Sequence, residues 1–180
     1  MVPIGYMYKT ISAKPEWLKS TQVKDIYSVS SCVSKDFTDW VNYWKHNGYW
    51  FFNTPDVMVS LAAEHHINLS EQMLFYYEAY EKQWDDVEKQ WANYEPEQSF
   101  ITAVERPTDA TLLGFDLVSF SCQNSAECSP LSCNHMAEIV AVNEHCLLQS
   151  FAQAKEILES GRLNDCEPGP YRIFAVYGIH

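Results

Sequence analysis

Asp25-Ile-Tyr-Ser-Val-Ser-Ser-Cys32 and Asp116-Leu-Val-Ser-Phe-Ser-Cys122 read as two versions of one phrase. Each opens on an aspartate, alternates apolar residues with serine and closes on a cysteine, the pattern of a short half-buried strand. Each also follows a basic residue and a proline, Lys14-Pro15 in one case and Arg106-Pro107 in the other. Working outward, residues 6–15 lie over 101–107, residues 48–57 over 145–154 and residues 73–80 over 171–177, at an offset drifting from about 90 to 98. Four blocks in one order are the mark of a copied unit.

Periodicity then gives the content of each unit. In the first, residues 6–11 and 25–31 read as strands, with a helical turn at Trp17-Leu18 after Pro15. Ser34 caps a helix that carries Phe37, Trp40, Val41 and Trp44 on one face and stops at Asn47-Gly48. Residues 49–52 form a central strand, apolar on both faces. Asn53 or Thr54 caps a helix with Pro55 in its first turn and Val57, Leu61 and Ala62 inward, and residues 73–80 close the unit as a strand. In the second unit the strands are 100–104, 115–121, 146–148 and 172–177. Its helices are 134–138 and 150–159, the latter stopped by Gly161, while 122–133 is a loop.

The fold class expected is α/β (α+β): two degenerate β-α-β-α-β units, about 6–81 and 100–178, forming a mixed sheet packed with helices in a single globular domain, 1–180. The units are joined by an acidic aromatic segment, 82–99. The alternation in Tyr77-Glu-Ala-Tyr-Glu-Lys-Gln-Trp84 favours a hairpin over a helix there.

The chain has 180 residues, 47% of them hydrophobic and 14% aromatic, enough to fill a core without metals or disulfides. It contains no apolar run of about 18 residues and no basic, then apolar, leader. Its six cysteines are accordingly read as reduced thiols and its location as cytoplasmic. A net charge of −12 argues against nucleic acid or an anionic membrane as partner. Residues 1–45 carry six lysines against four acids, so the remainder carries −14. Residues 71–97 hold eight acids and two bases, half of the total charge.

The motifs of common chemistry are missing. With six glycines and no G-x-G-x-x-G or G-x-x-x-x-G-K, there is no phosphate-binding loop of the usual kinds. No catalytic residue is assigned. Cys133-Asn134-His135 sets a thiol beside an imidazole, but sequence neighbours seldom have the geometry of a dyad. His65-His66 closes a helix, where a cation complements the dipole. Cys122, Cys128, Cys133 and His135 are weak metal-ligand candidates, because zinc takes thiolates and imidazoles but the spacings lack a tight C-x-x-C pair. Cys32 and Cys122, at matching strand ends, are more simply packed thiols. No metal or cofactor is expected.

The function expected is a non-enzymatic protein-binding inhibitor of the immunity or antitoxin type, which occludes a basic protein partner such as a bacterial toxin. Trp84, Trp91 and Tyr94 would supply anchoring rings, and Glu81, Asp85, Asp86 and Glu88 the steering charge. The alternative is a small-molecule binder or enzyme with a site in the cleft between the two units, assisted by a Cys/His-bound metal.

Overall fold

The computed structural model describes residues 1–35, 37, 47, 49–95, 103–119 and 127–180. Its elements are β1 (Val2–Thr10), β2 (Ser12–Ala13), β3 (Asp25–Ile26), α1 (Pro55–Glu64), β4 (Gln72–Asp85), β5 (Gln90–Asn93), β6 (Ala110–Ser119), α2 (Pro130–Cys133), α3 (Phe151–Glu159) and β7 (Tyr171–Ile179). A 3-10 turn, Met136–Glu138, follows α2. The architecture is mixed α+β, dominated by one antiparallel sheet in the order β1-β4-β7-β6, with β5 folded back on β4. All the pairings are antiparallel, where a mixed sheet was expected. Apolar runs mark a strand as central but carry no information on the direction of its neighbour.

The central strands β4 and β7 are covered on both sides. Phe75, Tyr76, Tyr77 and Ala79 of β4 and Tyr171, Ile173, Phe174, Ala175 and Val176 of β7 are all buried. Directly opposed residues share a face of a sheet. The pairs Met7↔Phe75, Lys9↔Met73, Tyr77↔Val176 and Asp116↔Phe174 therefore put Lys9 and Asp116 on the same face, one on each outer strand. The opposite face carries Tyr6, Tyr76 and Tyr177, with ring centroids 5.2 and 5.5 Å apart in sequence. Glu78 joins them, accepting from the hydroxyls of Tyr76 and Tyr177 and pairing with Arg106 at 2.5 Å.

Each outer strand is met by a tight loop organised by an asparagine. Asn47 Nδ2 donates to the Ile4 carbonyl, while its Oδ1 accepts from the amides of Tyr49 and Phe51. Asn143 Nδ2 donates to the Leu113 carbonyl, and its Oδ1 accepts from His145 and Leu147. The third loop residue after each asparagine, Trp50 and Cys146, has φ of 65° and 62°. These loops press on Gly5 and Gly114, at φ of 136° and 153°, where a β-carbon would stand 2.6 Å from the Phe52 oxygen and 2.7 Å from the Leu147 side chain. Each loop ends in a bridge to the outer strand, Tyr6↔Phe52 and Phe115↔Leu148, and then in a helix.

Several expected elements change. The strand of residues 25–31 is only β3, because the backbone beyond it is held by side chains and not by a ladder. Residues 49–52 and 146–148 are the asparagine loops, since a positive φ in the middle breaks a strand. Ala103 and Val104 are not in a strand, and residues 100–102 lie outside the described residues, as do the helix expected around Trp40 and Trp44 and residues 120–126. Of the expected helix 134–138 only the 3-10 turn Met136–Glu138 forms, and α2 precedes it within the stretch expected to be a loop. Other readings hold. Thr54 precedes α1 with Pro55 in its first turn, Ser150 caps α3 by accepting from the Gln153 amide, and Gly161 follows α3 at φ 73°. Segment 82–93 is a hairpin, with Trp84 opposite Trp91.

The equivalence of Asp25–Cys32 with Asp116–Cys122 fails. Asp25 sits in a two-residue strand paired with β2, whereas Asp116 lies inside β6 at the edge of the large sheet. A shared short motif of serine and apolar residues was too weak a signal to place them alike.

Candidate functional site

Lys9 and Asp116 grip one short segment, residues 28–30, from opposite edges of the sheet. The Lys9 ammonium donates to the carbonyls of Ser28, Val29 and Ser30 at 2.7, 3.0 and 2.8 Å. Asp116 accepts from the Ser28 hydroxyl and the Val29 amide through Oδ2, and from the Ser129 hydroxyl and the Leu117 amide through Oδ1. Residues 28–30 thus form a strap across the face over β4 and β7. Tyr27, at the head of the strap, packs edge-on against Phe75 and stacks on His145, whose Nδ1 lies 2.6 Å from Asp25 Oδ1. Burial pushes the Asp116 carboxyl up to about 6, against its four hydrogen bonds, which act the other way.

Asp116 also joins two cysteine-bearing segments. Two residues past the strap is Cys32, and one residue before Ser129 is Cys128. Cys133 closes the one-turn helix α2, which starts beside Ser129. The Sγ atoms of Cys32, Cys128 and Cys133 all lie within 4.8 Å of one another. Cys32 is exposed, Cys133 half-buried and Cys128 buried. Cys32 Sγ donates to the Glu127 carbonyl at 2.9 Å, and the neighbouring sulfurs of Cys128 and Cys133 pull its pKa down. The same contacts, with burial, push Cys128 far up.

The structure thus brings together Cys128 and Cys133 of the expected set and adds Cys32. Cys122 lies outside the described residues. His135 is elsewhere: its Nδ1 meets Glu138 at 2.8 Å and its ring packs edge-on against Trp17. His65 and His66 follow the last residue of α1, as a helix terminus requires. Among the described residues, β4 and β7, one strand from each expected unit, are directly hydrogen-bonded neighbours, so no cleft separates the units along that seam. A groove of about 560 Å³ lies instead at one end of the sheet, lined by residues including Tyr8, Gln72, Met73 and His180.

The acidic segment has a different anatomy from the one expected. Trp84 is buried against Trp91, and the Trp91 indole donates to Glu159. The Tyr94 ring lies 3.7 Å from the guanidinium of buried Arg172, with Tyr49 and Phe174 around the same cation. These rings hold the hairpin down, so they are not free-standing anchors. Asp85 Oδ1 accepts from the Val87 and Glu88 amides to build the hairpin turn, and Asp86 accepts from the Gly169 amide. Glu81 and Glu88 stay exposed, and Val87 at the tip is 80% exposed. The hairpin also gathers other acids. Contacts Lys89–Asn164, Trp91–Glu159 and Asp86–Gly169 bring α3 and residues 160–169 against it, adding Glu156, Glu159, Asp165 and Glu167.

The sequence reading passed over Lys9 and Asp116. The signal was available: each is a lone charge in an otherwise apolar strand, and a charge there must find buried partners. Among the described residues, no helix is long and apolar enough to cross a membrane. No protein-family model, curated protein or solved structure matches the chain.

Proposed function

We propose that the chain is a non-enzymatic, immunity- or antitoxin-like binding protein that covers a basic protein partner with the acidic face built on the β4–β5 hairpin. The supporting observation is the convergence of the hairpin with α3 and residues 160–169. Acids separated by up to 86 residues of sequence, Glu81 to Glu167, fall on neighbouring elements with exposed Val87 at their edge. Carboxylates arranged around an apolar tip steer a cationic surface and then desolvate a small contact. The docking residues of this reading are Glu81, Glu88 and the carboxylates of α3. Trp84, Trp91, Tyr94, Asp85 and Asp86 shape the surface from beneath.

The test uses any basic protein found encoded beside this chain, titrated calorimetrically at about 50 and about 200 mM salt. One such protein is expected to form a stoichiometric complex that weakens roughly tenfold or more at the higher salt. The double reversal Glu81→Lys/Glu88→Lys should weaken it further while leaving the thermal midpoint unchanged, because neither side chain holds the hairpin. Binding indifferent to both salt and reversal would remove the reading.

We further infer that the chain descends from a doubled unit, β1–loop–α1–β4 matching β6–loop–α3–β7. The inference is supported by the paired asparagine loops, the paired glycines Gly5 and Gly114, and the pairing Tyr77↔Val176. Those two residues stand opposite Gly5 and Gly114 respectively. On this reading Asn47→Ala and Asn143→Ala have similar costs, each about 2 kcal/mol in urea melts, for the three side-chain bonds that the two asparagines share by position. A large cost at one and none at the other would contradict it.

A further inference from the structure

We propose that Cys32, Cys128 and Cys133 form a zinc site, with three thiolate ligands and a fourth position left to water or an exogenous donor. Three sulfurs from two segments far apart in sequence, Cys32 on one and Cys128 and Cys133 on the other, converge within 4.8 Å of one another. Tetrahedral zinc with Zn–S near 2.3 Å sets its sulfurs about 3.8 Å apart, so a shift of an ångström or less closes the site. A disulfide would use two of the sulfurs and leave the third without a role.

The second observation is the scaffolding. Asp116 bonds both to the strap that leads to Cys32 and to Ser129 beside Cys128. The Cys128 segment is tied in turn to β6, through Ser119 N to the Cys128 carbonyl at 2.9 Å. The ligands are therefore positioned by buried polar bonds before any ion arrives, which is how a supporting shell orients a metal site. Exposed Cys32 provides the entry path. Binding releases the thiol protons as the Zn–S bonds form, and no electron is transferred.

The experiment uses the full chain, reduced and freed of metal under anaerobic conditions. Zinc uptake is followed by competition with a chromophoric chelator, and cadmium uptake by the ultraviolet thiolate-to-metal absorption. One ion per chain is expected, with a cadmium band of the intensity of three thiolates. Cys32→Ser and Cys133→Ser should each weaken zinc by roughly a hundredfold or more and shrink the cadmium band. Cys166→Ser, outside the cluster, should change neither. Cys32 is exposed, so its variant keeps the fold, and circular dichroism checks this. The proposal is overturned if the reduced chain takes up no zinc, if uptake survives Cys32→Ser at full affinity, or if two of the three cysteines are found as a disulfide in a chain that takes up no metal after reduction.

Discussion

Replacing Asp116 with alanine is expected to cost about 2 kcal/mol of stability near pH 7 and about 5 kcal/mol near pH 4. The substitution orphans the Val29 amide and the hydroxyls of Ser28 and Ser129, all of them buried or nearly so, at about 1–3 kcal/mol each. Near neutral pH part of this is returned, because the variant no longer carries a desolvated carboxylate. The pH dependence follows from the raised folded-state value. The carboxyl titrates at about 6 in the folded chain and at 3.8 as a free side chain. Its contribution is complete below the unfolded value and is lost as the pH rises through 6. Over that window the change is about 3 kcal/mol, which the alanine variant lacks. Urea melts of both proteins at the two pH values give the difference directly, with the other acids cancelling. A deficit that is the same at both would show that Asp116 is not held as described.

Alanine at Gly114 or at Gly5 should cost about 3–4 kcal/mol, the second large effect. Neither backbone can relax toward ordinary φ without breaking the bulge that re-registers the strand, between Leu112 and Gly114 in β6 and between Pro3 and Gly5 in β1. A methyl group would also be driven into the Leu148 oxygen at 2.7 Å, or the Phe52 oxygen at 2.6 Å. Strain in a glycine-only region and overpacking add, and each alone is worth 1–3 kcal/mol. Thermal melts would read the pair as drops of similar size. A variant at either position within 1 kcal/mol of the parent chain, on the order of surface substitutions, would contradict the geometry.

How far the sequence could be read is a matter of which interactions are local. Thr54-Pro55, Ser150 and Gly161 mark helix ends through the conformations and contacts of the residues next to them, and all three were legible. The hairpin was legible too, since its alternation and turn are local. The strap was not. Residues 28–30 continue an alternating sequence, which is the signature of a strand, but the chain bends there and its backbone groups go to Lys9 and Asp116, 19 to 88 residues away. Alternation reports that one side is buried and not who satisfies the main chain. The asparagine loops were misread for a related reason. Tyr49-Trp-Phe-Phe52 is apolar enough for a central strand, and nothing in those four residues announces that Asn47 will bend them. Of the candidate site, Cys128 and Cys133 were visible as neighbours. Cys32 was seen only as a packed thiol, because its convergence with Cys128, 96 residues on, is a property of the sheet.

Lys9 and Asp116 stand on the outermost strands, and the strap between them works as a buckle. The first half of the chain supplies the band and one clasp, and the second half supplies the other clasp. Whatever their ancestry, the halves have therefore given up independence. A change that slackens the buckle in one half uncovers apolar surface belonging to both, so natural selection must treat the two as a single heritable part.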